Sequence, residues 1–390
     1  MKKLAIIGAS YLQRPLVEKA YKMGLETHVF AWRKGEMVSD IATRFYPISI
    51  LEKDQILRQC KKIGIDGITS IASDIAMNTV NAIANELGLT GNSPESTLIS
   101  TDKHEMRLAL HKGGVSCPRF ELYTKPEFKD KGQLEFPVIV KPADRSGSRG
   151  VTKVTAPDQV NQALEKALKY SISGKAIVEE FILGQREFSV EMISFRGQHH
   201  FIAITDKVTT GEPYFVETEH HQPANIDDKL KEKIIWEVKK GLDTLKIEYG
   251  ASHSEVLLTE NGQVRIVEIA GRMGGELIGS DMVHLSTGYD FVKGTIEVAL
   301  GSFTPFDHKQ LFNHHSGVFY VLPPPGVIKK IEDHSTAYPN IVKALPILEV
   351  GNQISATIDG AGKRAGIFVY WHPSRRLNFN PNEVLRFITK

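Results

Sequence analysis

Residues 136–151 read FPVIVKPADRSGSRGV. The apolar run indicates a buried strand that ends at Lys141, and Val151 opens a second strand after a loop of glycine, serine and arginine. Binding of a polyphosphate needs backbone N–H groups that approach its oxygens closely, which glycine permits, and cations that offset its charge. The loop is not a Walker loop because GxxxxGK[ST] is absent from the sequence. The stretch favours a phosphate-binding strand–loop–strand unit, and an ordinary basic hairpin tip is the alternative.

The residues upstream alternate between strand-like and helix-like patterns. Strands are predicted at 4–7, 27–32 and 67–71, and helices at 14–23, 55–63 and 75–87. Alternation of this kind predicts a parallel sheet flanked by helices. Gly8-Ala9-Ser10 follows the first strand, where a dinucleotide site would need GxGxxG. Ser10 and Gln13 occupy the second and third glycine positions, which excludes a nicotinamide cofactor. Contact with a substrate and a simple tight turn remain equal alternatives for this loop.

The residues downstream predict two further regions. Thr101 or Asp102 can cap a helix that runs to about residue 111. Helices are then predicted at 158–170, 228–246, 291–300 and 382–388, and strands at 176–181, 187–195, 251–258, 264–269, 317–322, 327–331 and 366–371. The fold class is therefore a multidomain α/β and α+β protein. We predict an open parallel sheet in residues 1–100, a central domain in 101–305 and a small β-rich domain in 306–390.

Two carboxylates lie on a predicted hairpin. The Asn261-Gly262 pair is a strong hairpin signal, and it places Glu255 and Glu268 on facing strands. Facing carboxylates repel each other, and magnesium, which prefers hard oxygen ligands, would relieve the repulsion. Glu268 also sits within an apolar strand, where a buried acid needs a cation or another partner. A metal site is favoured over a pair of solvent-facing acids.

Composition excludes several classes of function. The chain has 390 residues, a net charge of +2 and two cysteines, Cys60 and Cys117, without a CxxC pattern. The near-neutral charge gives no indication of nucleic-acid binding or of an anionic membrane surface. No apolar run approaches the ~18–20 residues of a membrane span. We therefore expect a cytoplasmic protein that has neither nucleic-acid nor membrane partners.

Paired histidines recur along the chain, at His199-His200, His220-His221 and His314-His315. Adjacent residues of a strand point to opposite faces, so such pairs make poor joint ligands and are expected mostly at the surface. The segment FVETEHHQP, residues 215–223, is the exception, with contact to a substrate and simple coverage of a central cleft as equal alternatives.

The order of these features resembles the ATP-grasp superfamily, in particular its carboxylate–amine ligases, which include L-amino acid ligases, and the related large subunit of carbamoyl phosphate synthase. The resemblance covers residues 1 to about 300. The segments that carry it are Thr101-Asp102-Lys103, FPVIVKP at 136–142, RSGSRGV at 145–151, VEEFI at 178–182, GQREF at 184–188, HSE at 253–255 and EIAGR at 268–272.

The resemblance implies a role for each matched residue. ATP and Mg²⁺ (or Mn²⁺) are the implied cofactors. Nucleotide contacts are expected from Lys103, Lys141, Ser146, Gly147, Ser148, Glu179, Glu180, Phe181, Ile182 and, at the ribose, Glu187. Metal ligands are expected at Glu255 and Glu268, and catalytic contacts with the transferring group at Arg272, Lys141 and Arg149. Substrate contacts are expected at Glu217, His220, Gln222, Gly274 and Gly275. Ala270 stands where the family often has a liganding asparagine.

The implied activity is ATP-dependent activation of a carboxylate as an acyl phosphate, which an amine then attacks, with release of ADP and phosphate. Small-molecule carboxylates and amines are the implied partners, and a homodimer is expected because dimers are common in the family. Three alternatives stay open. They are an ATP-grasp kinase acting on a hydroxyl, a carboxylase that works through carboxyphosphate, and a nucleotide-binding protein without ligase activity.

Overall fold

The computed structural model describes residues 1–34, 36–145, 147, 149–212, 215–357 and 360–390. The N-terminal region contains a parallel sheet in the order β3-β2-β1-β4, which confirms the predicted open parallel sheet. Its strands are β1 (Lys3–Ile7), β2 (Glu26–Phe30), β3 (Arg44–Tyr46) and β4 (Gly67–Thr69), and its helices are α1 (Arg14–Lys22), α2 (Lys53–Ile63) and α3 (Asp74–Glu86).

The apolar run of β1 is explained by burial on both faces of this sheet. Leu4 and Ile6 belong to one hydrophobic cluster, and Ala5 and Ile7 belong to another. Parallel strands covered on both faces are continuously apolar for this reason. The loop that follows β1 is a turn closed by Gln13, whose side-chain oxygen accepts from the Ser10 N–H at 3.0 Å.

A small antiparallel sheet carries the predicted phosphate-binding strand. Its order is β5-β8-β6-β7, and it consists of β5 (Phe120–Tyr123), β6 (Val138–Pro142), β7 (Thr152–Val154) and β8 (Ala176–Glu180), with α6 (Val160–Tyr170) packed against it. Two helices, α4 (Pro94–Thr101) and α5 (Lys103–Lys112), precede this sheet. Asp102 caps α5 by accepting from the N–H groups of His104 and Glu105, which satisfies donors that have no partner within the helix.

The large sheet has eight antiparallel strands in the order β13-β12-β9-β10-β11-β14-β18-β16. These are β9 (Gly184–Phe195), β10 (Gln198–Thr209), β11 (Glu217–Gln222), β12 (Gly250–Thr259), β13 (Val264–Ala270), β14 (His315–Val321), β16 (Ile341–Pro346) and β18 (Gly366–His372). Helices α7 (Asp228–Thr244), α8 (Val283–Thr287) and α9 (Phe291–Ala299) accompany it. Because β14 pairs with β11, the region after residue 306 continues the sheet of the central region.

The chain ends in a short three-stranded sheet that differs from the prediction. It contains β15 (Gly326–Asp333), β17 (Gln353–Ile354) and β19 (Leu385–Thr389), with a short helix α10 (Pro381–Val384) before β19. The helix predicted over 382–388 is therefore wrong for its second half. Residues 385–389 pair with β15 instead, and this non-local pairing overrides the local helical pattern. Among the helices that the structure describes, none is long and apolar enough to cross a membrane.

Candidate active site

A cavity of about 700 Å³ lies between the small sheet and the large sheet. This volume is in the usual range for a small-molecule site. Most of the predicted site residues line it, namely Lys103, Lys141, Gly147, Glu179, Glu180, Phe181, Ile182, Glu187, Glu217, Glu255, Glu268 and Arg272. Residues that lie more than 160 positions apart in the sequence therefore meet in one place.

Several predicted residues lie elsewhere. Arg149 is exposed and does not line this cavity. Gly274 packs against the buried pair formed by Glu191 and His253, and a Cβ atom there would lie 2.7 Å from the His253 ring. Gly275 faces Ala72 of the N-terminal region. The glycines therefore permit close packing at these positions rather than lining the cavity. The predicted contacts Ser146 and Ser148 lie outside the described residues.

Lys141 belongs to a buried chain of charges. Its ammonium contacts the carboxylate of Glu179 on the neighbouring strand β8. Arg107 of α5, which is wholly buried, donates to the same carboxylate from Nε at 3.2 Å and from Nη2 at 3.0 Å. Burial, together with the nearby Arg107 and Lys103 cations, lowers the pKa of Lys141 despite the attraction of Glu179. Arg107 and Lys141 thus share the single carboxylate of Glu179. The net positive charge of this group would attract a bound polyphosphate.

Replacing Arg107 by methionine is expected to lower the free energy of unfolding by about 3 kcal/mol, because the change removes one partner of a buried ion pair. Urea unfolding followed by circular dichroism measures the loss. Arg58, an exposed residue of α2, gives the matched control, and its replacement by methionine should leave the unfolding curve unchanged. Equal stability of the two variants would show that the Arg107–Glu179 contact contributes nothing.

The predicted facing of two carboxylates is confirmed. Glu255 of β12 pairs with Glu268 of β13 in the strand register. Each carboxylate has a lysine partner, since Glu268 accepts from Lys103 Nζ at 2.8 Å and Glu255 lies 3.2 Å from Lys207 Nζ. Burial tends to raise the pKa of Glu255, but Lys207 and His253 lower it to about 2. At neutral pH Glu255 is therefore ionised.

These two carboxylates fit a hard divalent cation, because they offer ionised or cation-paired oxygen donors side by side at the cavity. Ala270, two residues beyond Glu268, is buried and has no donor to add. Two clusters of three potential metal ligands also occur among the described residues, Asp102/His104/Glu105 and Glu217/His220/Glu276, and neither contains this pair.

Lys207 was missed by the sequence analysis. Its side chain is buried, and its Nζ lies 2.6 Å from Glu187 Oε1, 3.1 Å from Glu217 Oε1 and 3.2 Å from Glu255 Oε1. Burial tends to lower the pKa of Lys207, but the three carboxylates raise it well above the usual value for a lysine. Strand β10, which carries it, could have been predicted from the apolar run 201–204 that follows the Arg196-Gly197 turn. Lys207 connects the predicted ribose, metal and substrate positions.

The predicted adenine-binding segment, residues 178–182, covers the end of β8 and the start of the link to β9. Phe181 and Ile182 contribute apolar surface to the cavity wall, together with Ile139, Val151 and Leu257. The carboxylate of Glu180 accepts from the N–H of Arg119 at 3.1 Å and from Arg265 Nη2 at 3.2 Å. The carboxylate of Glu179 is already bound by Arg107 and Lys141. The side chains of the two acids therefore hold the protein's own cations, and the apolar side chains form the wall that a planar base requires.

The predicted substrate residues Glu217 and His220 belong to a cluster that adjoins the cavity. Arg364, from the C-terminal region, contacts both Glu217 and Glu276 and stacks 3.8 Å from the Tyr320 ring centroid. His220 Nε2 lies 3.4 Å from Glu276 Oε2. His220 and His221 belong to the segment that was excepted from the expected surface histidines, and the other two histidine pairs are half-buried. Both His220 and His221 are buried, and their rings pack edge-on against aromatic rings of β14, His220 against Tyr320 and His221 against Phe319.

Comparisons with known proteins agree with this geometry. Residues 134–281 match the model of the ATP-grasp domain. Alanine–anticapsin ligase of Bacillus subtilis (strain 168) is 29% identical over 265 residues, which cover 60% of this chain and 55% of that ligase. The chain therefore spans about half the length of this curated relative. A formate-dependent phosphoribosylglycinamide formyltransferase of Ignicoccus hospitalis is 24% identical over 289 residues, which cover 69% of each protein.

Solved structures resemble the whole chain. The L-amino acid ligase from Bacillus licheniformis has a TM-score of 0.85 at 22% identity and covers 100% of this chain and 99% of its own. Phosphoribosylglycinamide synthetase from Anaerococcus prevotii has a TM-score of 0.78 at 20% identity, with 100% of both chains covered. At these identities the likeness establishes the fold.

Proposed function

We propose that the chain is an ATP-dependent ligase that joins a carboxylate to an amine through an acyl phosphate, on the premise that residues 134–281 match the model of the ATP-grasp domain. One observation carries the proposal. A single cavity brings together the buried lysines Lys103 and Lys141, the facing carboxylates Glu255 and Glu268, and Arg272. These charged groups suit the γ-phosphate of ATP with the carboxylate of a substrate beside it. Relatives named as ligases of alanine and of L-amino acids support it.

The reaction requires two bond exchanges. A carboxylate oxygen of the substrate bonds to the γ-phosphorus of ATP, and the bond from that phosphorus to the bridging oxygen breaks, so that ADP leaves with the electron pair. The amine nitrogen then bonds to the acyl carbon, loses a proton, and displaces phosphate. Both reactants of the first step are anions, so catalysis consists mainly of positioning and charge neutralisation.

The residues of this chain would divide that work. Lys103 and Lys141 would bind the phosphates, and Arg272 would stabilise charge that develops on the transferring group. Glu255 and Glu268 would hold magnesium, or manganese, which would neutralise charge on the phosphate oxygens. Glu179 would position Lys141, and Phe181 and Ile182 would hold the base. The free, buried thiols of Cys60 and Cys117 fit a reducing compartment such as the cytoplasm.

The proposal is tested by incubating the protein with Mg-ATP and pooled amino acids, other carboxylates and amines, and measuring ADP and phosphate. Release of both that requires one carboxylate and one amine together supports the ligase. ADP without free phosphate, formed only with an alcohol, would indicate a kinase. Phosphate release that needs bicarbonate would indicate a carboxylase. Tight ATP binding with no turnover in any pool would contradict the ligase and favour a nucleotide-binding role.

Replacing Lys141 by methionine is expected to raise the Kd for ATP by about tenfold to a hundredfold, because one charge-assisted contact to phosphate is lost. Isothermal titration calorimetry measures the Kd. Lys166, an exposed residue of α6, is the matched control, and its replacement by methionine should leave the affinity unchanged. Equal ATP affinity in the two variants would refute the assignment of Lys141 to the nucleotide.

A further inference from the structure

We propose that Asp74, the first residue of α3, is a positioning residue that fixes Arg272 for the reaction. The inference rests on the proposed function. It adds a residue from outside the ATP-grasp domain to the site, and the sequence analysis gave that residue no role.

The contact between the two side chains is bidentate. Arg272 donates from Nε to Asp74 Oδ1 at 2.8 Å and from Nη2 to Asp74 Oδ2 at 3.1 Å. Both side chains are largely shielded from solvent, with exposed fractions of 12% for Arg272 and 17% for Asp74. A paired fork of this kind fixes the plane of the guanidinium as well as its position. Asp74 therefore determines which edge of Arg272 is free.

The protein's own acceptors occupy some of the N–H groups of Arg272 and leave others for a ligand. A guanidinium carries five N–H groups. Asp74 takes two of them, and the carbonyl of Met273 accepts a third, from Nη1 at 3.2 Å. No further acceptor bonds Arg272 within the part of the chain that the structure describes, so one N–H on each terminal nitrogen remains. Arg272 lines the cavity, where these two donors match two oxygens of a phosphoryl or carboxylate group.

The backbone holds Asp74 in this place. The N–H of Ala72 donates to the carbonyl of Met273 at 3.2 Å, so the segment before α3 is tied to the segment after β13. Ala72 has a φ of +57°, a left-handed conformation that is uncommon for alanine. Ser73 caps α3 by accepting from the Ala76 N–H. The first turn of a helix favours an ionised carboxylate, which suits Asp74 to an arginine partner.

The position of the contact argues for a catalytic rather than a purely structural purpose. It joins the N-terminal sheet region to the end of β13, two residues after Ala270, where the cavity begins. Burial tends to raise the pKa of Asp74, but the cations of Arg272 and Lys103 lower it. A shift of Asp74 would thus move the two free donors of Arg272 while leaving the nucleotide wall formed by the small sheet in place.

A double-mutant cycle tests the inference. Asp74→Ala is expected to lower kcat by about a hundredfold, as for a misplaced catalytic group, with the Kd for ATP unchanged. In an Arg272→Ala background the same change should have almost no effect on kcat, because the group that Asp74 positions is gone. Asp40→Ala is the matched control, since Asp40 forms an exposed ion pair with Arg14 in the same region. Its kcat should equal that of the wild type.

Two results would overturn the inference. Equal losses of kcat from Asp74→Ala in both backgrounds would mean that Asp74 acts independently of Arg272, and an unchanged kcat would mean that it has no role. Failure of the proposed function appears separately, as a wild type without turnover. In that case a second measurement tests the contact between Asp74 and Arg272 directly. NMR measures the rate at which the Arg272 Nε proton exchanges with solvent. Asp74→Ala should accelerate this exchange by about tenfold or more, and an unchanged rate would refute the contact.

Discussion

Replacing Arg272 by lysine is expected to lower kcat by about a thousandfold, the upper range for loss of a donor that stabilises transition-state charge. A lysine ammonium cannot bind Asp74 in a bidentate fork and at the same time present two parallel donors to the cavity. The fold should persist, because the variant keeps a positive charge beside Asp74. Single-turnover measurements of phosphate release, with ATP affinity measured by calorimetry, separate the chemical step from binding.

The control for Arg272→Lys is Arg58→Lys, at an exposed position of α2 far along the chain from the cavity residues. It should behave as the wild type in both measurements. If Arg272→Lys retained most of the wild-type rate, Arg272 would be a structural residue that holds the N-terminal region in place, and its catalytic assignment would fail.

Replacing Glu268 by glutamine is expected to cut kcat by about a hundredfold to a thousandfold, as for removal of one preorganised electrostatic element. The amide keeps the size of the carboxylate and can still accept from Lys103, so the loss reports the missing charge. Because a neutral amide is a poorer ligand for a hard cation, the magnesium concentration needed for half-maximal rate should rise as well. Steady-state rates across a magnesium titration measure both quantities.

Glu260 supplies the control for that change, since it is exposed at the turn of the same hairpin. Glu260→Gln should leave both the rate and the magnesium dependence unaltered. A Glu268→Gln variant with a normal rate and a normal magnesium dependence would refute the metal assignment.

The parts of this protein that could be predicted from sequence are those with local signals. The apolar strand before Lys141, the glycine-rich loop and the Asn261-Gly262 turn each indicate structure within a few residues. The turn predicted that Glu255 faces Glu268, but the register beside the turn pairs Val256 with Ile266. A bulge between Glu255 and Val256 brings the two carboxylates face to face. The resemblance to a known family then related these segments to one another, and most of the residues that it named line one cavity.

The parts that could not be predicted depend on contacts between distant segments. Asp74 and Arg272 are 198 positions apart, and nothing local to either residue indicates the pair. Arg364 reaches Glu217 only because β14 and β18 extend the large sheet beyond β11. Residues 385–388 were assigned to a helix for the same reason, since only the pairing with β15 makes them part of a strand.

If the chain activates a carboxylate as an acyl phosphate, one carboxylate oxygen is transferred to the released phosphate, and an oxygen isotope can follow that transfer. The carboxylate substrate identified in the pooled assay is labelled with ¹⁸O in both oxygens and incubated with ATP and the amine. Mass spectrometry of the released phosphate is the measurement. One ¹⁸O atom per phosphate is expected, because the carboxylate oxygen that attacks the γ-phosphorus leaves with it. Unlabelled phosphate from a reaction that still forms the amide would rule out an acyl phosphate intermediate.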